Sequence, residues 1–174
     1  MVEKNGFVPV GKIVGAHGLK GNIKVYSYTE SLSVFKPGRL ILLINPKGFE
    51  KSYKIKWVKP HGQLILLSLK GVENRNSVET LMGSVFFIER ANLPELEDGS
   101  YYWVDIIGIS VFTTHDECIG LVESIIPTGS NDVFVVRNPN KAHDNETLIP
   151  AIESVILEID LKRKTMRVDL PEGL

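Results

Sequence analysis

Three residue types of this 174-residue chain are candidates for functional chemistry. They are the histidines as metal ligands, the glycines as parts of phosphate-binding loops and the single cysteine as a reactive thiol. The histidines lie far apart in sequence, and none belongs to an H-E-x-x-H or C-x-x-C arrangement that places ligands on one face. They are His17, His61, His115 and His143. The spacing therefore predicts no metal site.

Four glycines near the start invite comparison with phosphate-binding loops. They are Gly11, Gly15, Gly18 and Gly21. Neither G-x-x-x-x-G-K-[ST] nor G-x-G-x-x-G spacing occurs, and there is no G-x-S-x-G elbow. A triad of distant residues needs adjacency only in space, so it stays open. The local motifs nevertheless favour a binding protein without a cofactor over an enzyme.

Cys118 is the single cysteine, which excludes an intrachain disulfide and fits a reducing compartment. No activating partner can be assigned to its thiol from sequence, so we expect it to pack as a small hydrophobe. The start of the chain has no apolar signal core, and no apolar run approaches the roughly 18 residues of a membrane span. We expect a cytoplasmic protein.

The segment from Gly11 to Val25 has the pattern strand, glycine turn, strand. Alternation sends Ile23 and Val25 to one face and Lys24 to the other, and places Lys20 on the turn beside His17. A basic tip with exposed backbone amides suits phosphate oxygens. The candidate RNA-binding residues here are His17, Gly18, Lys20, Gly21 and Lys24.

Lys54 and Lys56 share one face of a second predicted strand and are further candidates for binding ribosomal RNA. The alternative is that outward lysines only keep a barrel soluble and block pairing at its edges. Charge alone predicts non-specific attraction to phosphates.

Three consecutive aromatic residues, Tyr101, Tyr102 and Trp103, are followed by Asp105. The three rings cannot all enter one core, so at least one faces outward or into the domain junction. Tyr and Trp are favoured anchors at protein interfaces, which makes these four residues candidates for a protein-binding site. The alternative is that they only cement two domains together.

Short alternating segments separated by Gly and Pro turns predict a mostly β protein made of two small β-barrels. The strands predicted in the first half are Val8 to Val14, Asn22 to Ser27, Leu40 to Ile44, Ser52 to Val58, Leu64 to Leu69 and Ser84 to Glu89. A helix is predicted over Arg75 to Met82, started by an Asn76–Glu79 capping box or by Asn74, and ended by Gly83.

A polar, proline-interrupted stretch over 93–100 is predicted to be a linker between domains at 1–92 and 101–174. The strands predicted beyond it are Ile109 to Phe112, Ile119 to Ile126, Asp132 to Val136 and Thr147 to Ile149, followed by a hairpin of Leu157 to Leu161 with Met166 to Leu170. Asn138 to Glu146 is polar and predicted to be a mobile loop.

The charge changes sign at this linker. Residues 1–94 carry 14 Lys or Arg against 6 Asp or Glu, whereas residues 95–174 carry 6 against 15. A basic half can neutralise phosphates and an acidic half can meet a cationic protein. The plainer interpretation is that two domains acquired opposite charges for solubility.

Several blocks, in order along nearly the whole chain, resemble the bacterial ribosome maturation factor RimM family. They are the run from Gly11 to Val25, Tyr101 to Gly108, Thr128 to Val133, Leu148 to Ile152 and Pro171 to Leu174. Departures are modest: Val104 stands where many members have His, Ile106 replaces a usual Leu, and Ser130 replaces a common Ala. Val104 removes any role assigned to that His.

The resemblance implies a translation-factor-like first barrel, a PRC-type second barrel and no enzymatic activity. It implies a factor that binds the precursor of the small (30S) ribosomal subunit through small-subunit protein nineteen and nearby 16S rRNA. It further implies that the factor promotes head maturation and 16S rRNA processing. The family's paired tyrosines, implicated in subunit association, correspond to Tyr101 and Tyr102. We expect a monomer. The alternative is a stand-alone RNA-binding or RNA-modifying accessory protein.

Overall fold

The computed structural model describes residues 5–29, 31–96, 101–128, 130–140 and 146–170. Internal contacts group the chain into two compact units, Met1–Val104 and Asp105–Leu174. Residues 97–100 of the predicted linker, residues 141–145 of the predicted loop (with His143) and the whole terminal motif (171–174) lie outside the described residues. Across the described segments, no helix has the length and apolar character needed to cross a membrane.

The first unit is built on six strands that form a closed barrel. They are β1 (Phe7–His17), β2 (Asn22–Ser27), β3 (Leu40–Ile44), β4 (Glu50–His61), β5 (Leu64–Leu69) and β6 (Val85–Glu89). The order around the barrel is β1-β2-β5-β4-β3-β6. The predicted first barrel is confirmed, and β4 is longer at both ends than its predicted segment.

Alternation along these strands fills the barrel interior. Ile23 and Val25 of β2 point inward, as the alternation predicted. The rings of Phe35 and Phe86 meet edge-on with centroids 6.0 Å apart. Phe35 comes from a short 3₁₀ turn, Leu32–Phe35, that the sequence analysis did not predict. The barrel core is therefore formed by apolar strand residues together with one inserted turn.

The helix of the first unit, α1, spans Arg75–Glu79 and is shorter than predicted. The side chain of Asn74 accepts a hydrogen bond from the Ser77 N–H at 2.8 Å, so the cap is Asn74 and not the Asn76–Glu79 box. The next residues continue as turns bonded at i−3, up to Gly83 at φ +75°.

The second unit contains six strands and the end of a short helix whose first residues belong to the first unit. The helix, α2, is Trp103–Ile106, and the strands are β7 (Ser110–Thr113), β8 (Cys118–Ile126), β9 (Val133–Arg137), β10 (Glu146–Pro150), β11 (Ile156–Asp160) and β12 (Thr165–Val168). Their order is β10-β9-β8-β7-β12-β11. The predicted β11–β12 hairpin is present, and the parallel pairing of β12 with β7 was not predicted.

Candidate functional site

The β1–β2 turn holds the predicted basic tip in a defined position. Gly21, at φ +71°, lies so close to the chain before α1 that an added Cβ would meet the backbone N of Asn74 at 2.9 Å. The N–H of Arg75 also donates to the carbonyl oxygen of Leu19 at 3.2 Å. Lys20 is exposed on this turn. The neighbouring loop therefore fixes the backbone that carries Lys20.

Lys24 extends the basic tip along β2. It lies opposite Gly15, at a bulge in the β1–β2 pairing between Ile13 and Gly15. A Cβ on Gly15 would stand 3.5 Å from the Lys24 Cδ atom, so the aliphatic stem of Lys24 runs across this glycine. His17, opposite Asn22, is the last residue of β1, and Gly18 follows it in the turn. The structure brings the five predicted tip residues together.

Lys54 and Lys56 are both exposed on β4, on either side of the buried Ile55. They are not neighbours of the tip. Lys54 pairs with Leu40 of β3, and β5 lies between β2 and β4 in the barrel order. The two predicted groups of RNA-binding residues are thus separate on the same barrel.

The end of β4 supplies residues near the tip that the sequence analysis missed. The His61 and His17 rings meet edge-on, with centroids 5.3 Å apart and planes at 68°. The ammonium of Lys59 lies 5.7 Å from the centroid of the Trp57 ring. A bulge between Ile55 and Trp57 changes which residues face outward, and simple alternation gives no sign of it.

The predicted protein-binding residues are divided between core and surface. The hydroxyl of Tyr102 donates to the carbonyl oxygen of Pro94 at 2.8 Å, and the Tyr102 side chain is only 7% exposed. Trp103 is equally buried and stacks on Tyr28. Tyr101 and Asp105 are half-exposed. Tyr101 is therefore the more accessible tyrosine of the pair.

Burial has an electrostatic consequence at Tyr28, which packs against Trp103. Desolvation disfavours the phenolate and raises the pKa of Tyr28 to about 12. Tyr28 therefore stays uncharged to a higher pH than a free tyrosine, and its ring packs within the first unit.

Ion pairs use three arginines in the described part of the acidic second unit, one of which is Arg163, whose Nε lies 3.7 Å from Asp160 Oδ2. Arg137 Nη2 lies 3.1 Å from Glu123 Oε2 and 3.3 Å from Glu146 Oε2, across β8, β9 and β10. Arg167 Nη2 lies 2.7 Å from Asp116 Oδ1. Other carboxylates of the unit, including those of Glu117, Glu153, Glu158 and Asp169, are exposed. The surface of this unit therefore suits a cationic partner.

Cys118 is exposed at the first residue of β8, so the prediction that it packs as a small hydrophobe is wrong. Gly120 and Val122 are buried on the same strand and Cys118 is not, because a break in the β7–β8 pairing falls between it and Gly120. Among the described residues, no group of three or more His, Cys, Asp or Glu side chains is placed to hold a metal ion.

The fold and these surfaces define a class of protein: a two-module β protein whose modules carry opposite charge. Family models match both modules. The RimM N-terminal domain matches residues 8–93 and the RimM PRC barrel domain matches residues 103–174, which confirms the predicted second barrel.

Curated relatives match along the whole chain. A ribosome maturation factor RimM from Geotalea daltonii is 38% identical over 95% of this chain and 93% of its own length. Another from Ligilactobacillus salivarius is 40% identical over 97% and 98% of the two chains. A crystal structure of a 16S ribosomal RNA processing protein RimM from Pseudomonas aeruginosa, 31% identical, covers 97% of this chain and 99% of that one, with a TM-score of 0.47. The chain belongs to the RimM family.

Proposed function

We propose that this protein is a non-enzymatic maturation factor for the small ribosomal subunit. Its relatives are named ribosome maturation factors, and a solved relative is named for processing of 16S ribosomal RNA. The observation that carries the proposal for this chain is the division of charge. The first unit has 14 Lys or Arg against nine Asp or Glu, and the second has six against 12.

In this proposal the basic first unit binds 16S rRNA phosphates. Four lysines supply the positive charge. Lys20, Lys54 and Lys56 are exposed, and Lys24 has its aliphatic stem packed across Gly15. Counterion release from the RNA then provides binding free energy without base recognition. Because the tip backbone is fixed against the loop before α1, the position of Lys20 does not have to be ordered on binding.

The acidic second unit binds a cationic protein of the subunit head, small-subunit ribosomal protein nineteen, which its exposed carboxylates attract. Tyr101, in the first unit, is a further contact to the subunit, and the accessible part of its ring adds apolar area. Tyr102 and Trp103 hold Tyr101 in place through the Pro94 carbonyl and the Tyr28 ring. The linker boundary at 93–100 remains a prediction, as does the monomeric state of the protein.

The factor promotes maturation by population shift. Binding RNA and protein together in a near-native arrangement favours that arrangement over misfolded ones, by the difference in affinity for the two states. The completed subunit must bind the factor less tightly, so that it leaves. The expected place of action is the cytoplasm.

Gradient sedimentation of a cell extract tests this function. We expect the protein to travel with free small subunits and to be missing from complete ribosomes. Co-purification with one basic ribosomal protein is also expected. Sedimentation only at the top of the gradient would contradict the proposal, and turnover of RNA with a soluble cofactor would favour an RNA-modifying protein instead.

A further inference from the structure

A bulge in β4 turns Trp57 to the outside of the first barrel. Before the bulge, Tyr53 and Ile55 face the core; after it, Val58 packs against the core. The inward set therefore changes from odd to even residues between Ile55 and Trp57, where the pairing with β5 shifts. Trp57 and Lys59 consequently face outward.

Strand pairing places Trp57 in two adjacent rows of outward side chains. Residues directly opposite each other on antiparallel strands share a face of the sheet. One row runs across four strands and the other across three. The rows are His17, Asn22, Ser68 and Trp57, and Lys24, Leu66 and Lys59. Together with His61, these residues form what we call the Trp57 face.

The Trp57 face is strongly curved, since side chains of its two outer strands are in contact. Leu66 is only 1% exposed, although its neighbours Ile65 and Leu67 are the β5 residues that face the core. The contact between the His17 and His61 rings brings the two ends of the face together. Leu66 lies between Lys24 and Lys59 in its row, so the two lysines flank it on the same side of the sheet as Trp57.

We propose that the Trp57 face binds a single-stranded segment of RNA, with one base stacked on the Trp57 indole. The phosphates on either side meet Lys24 and Lys59. The inference rests on the RNA half of the proposed function and specifies what that half recognises: unpaired nucleotides, not only duplex phosphates.

The composition of the face favours single strands. Aromatic rings interleaved with cations stack the exposed bases of single-stranded nucleic acid while tracking its backbone. In a duplex the bases are already stacked on each other and are closed to an indole. The Lys59 ammonium lies above the indole on a flexible stem, so it can move to a phosphate when a base takes its place.

Binding of a 12-nucleotide RNA to the full-length chain, followed by fluorescence polarisation at low salt, tests the proposal. We expect Trp57→Ala to weaken binding of the single strand about tenfold and Trp57→Phe to retain most of the affinity. Phe49→Ala is the matched control, because Phe49 is an aromatic side chain 74% exposed on the β3–β4 turn of the same barrel. Its binding should equal that of the unchanged protein.

The same RNA annealed to its complement should bind more weakly than the single strand, and Trp57→Ala should remove most of that preference. Intrinsic fluorescence gives a second readout, since Trp103 is buried and Trp57 is half-exposed. RNA should quench the emission of the unchanged protein and of Phe49→Ala, but not of Trp57→Phe.

Equal binding of single-stranded RNA by Trp57→Ala and the unchanged protein would overturn the inference, as would a preference for the duplex or no binding at all. Co-sedimentation of the unchanged protein with small subunits would then still support the proposed function. If the unchanged protein binds RNA through Trp57 but never sediments with subunits, the proposed function fails and this inference stands.

Discussion

Tyr28 and Trp103 stack with ring centroids 4.9 Å apart and planes inclined by 24°. The backbone N–H of Trp103 also donates to the Tyr28 carbonyl oxygen at 3.4 Å. The centroid of the Tyr26 ring lies 5.8 Å from that of the Trp103 indole. The start of α2 is therefore tied to the residues that end β2. Tyr101, the accessible member of the tyrosine pair, lies two residues before Trp103 in this cluster.

Trp103→Ala should destabilise the first unit by about 3–5 kcal/mol, the usual range for removing a buried aromatic side chain. Denaturant unfolding followed by circular dichroism measures this loss. Tyr101→Ala is the control, and since its ring is only half-buried, its cost should be below about 1 kcal/mol. Equal losses in the two variants would show that the Tyr28–Trp103 stack contributes little.

The two tyrosines should separate in function. Tyr101→Ala should weaken association with small-subunit precursors severalfold while preserving the fold, because it removes accessible ring surface. Tyr102→Phe should leave association unchanged and lower the free energy of unfolding by about 1 kcal/mol, since the hydroxyl bond to Pro94 is lost. Particle pelleting measures the first effect and denaturant unfolding the second. If Tyr102→Phe pelleted more weakly and Tyr101→Ala did not, the residue that contacts the particle would be Tyr102, which contradicts this prediction.

Stability should fall at alkaline pH because of Tyr28. Its pKa is about 12 in the folded protein and 10 for the free side chain, so the unfolded state loses its proton first as pH rises. The stabilisation from keeping Tyr28 neutral is complete below pH 10 and is lost between about pH 10 and 12. Over that range the loss is about 2–3 kcal/mol. Tyr28→Phe should show a correspondingly shallower decline, and an unchanged decline would exclude Tyr28 as its source.

Alternation and turn residues were sufficient to predict the strands of both units, because each strand buries one face. The pattern at Ile23 and Val25 is an example. The outward position of Trp57 could not be predicted, since the bulge in β4 depends on its pairing with β5. Burial of Tyr102 was equally hidden, because Tyr102 packs with the core of the first unit, whose other residues are distant in sequence. The His17–His61 contact joins strands that are not adjacent.

Gly21→Ala should destabilise the tip by more than about 2 kcal/mol and weaken RNA binding. The φ of +71° disfavours any side chain, and an added Cβ would clash with the carbonyl oxygen of Val72 and the N–H of Asn74. Gly18→Ala is the matched control on the same turn. Its φ is +65° with open space around it, so only the backbone term of about 1 kcal/mol applies. Thermal unfolding compares the two, and similar losses would contradict a close approach at Gly21.

The salt dependence of binding to purified small-subunit precursors tests the central claim, that the basic first unit binds rRNA phosphates. Each phosphate contact adds about 0.7–0.9 to the slope of log affinity against log salt. We predict a steep slope for the unchanged protein and a slope smaller by about 1.5 for Lys20→Ala/Lys24→Ala. Lys162→Ala/Arg163→Ala, which removes the same charge from the exposed β11–β12 turn of the second unit, should leave the slope unchanged. A slope that is flat, or that falls equally in both double variants, would contradict the account.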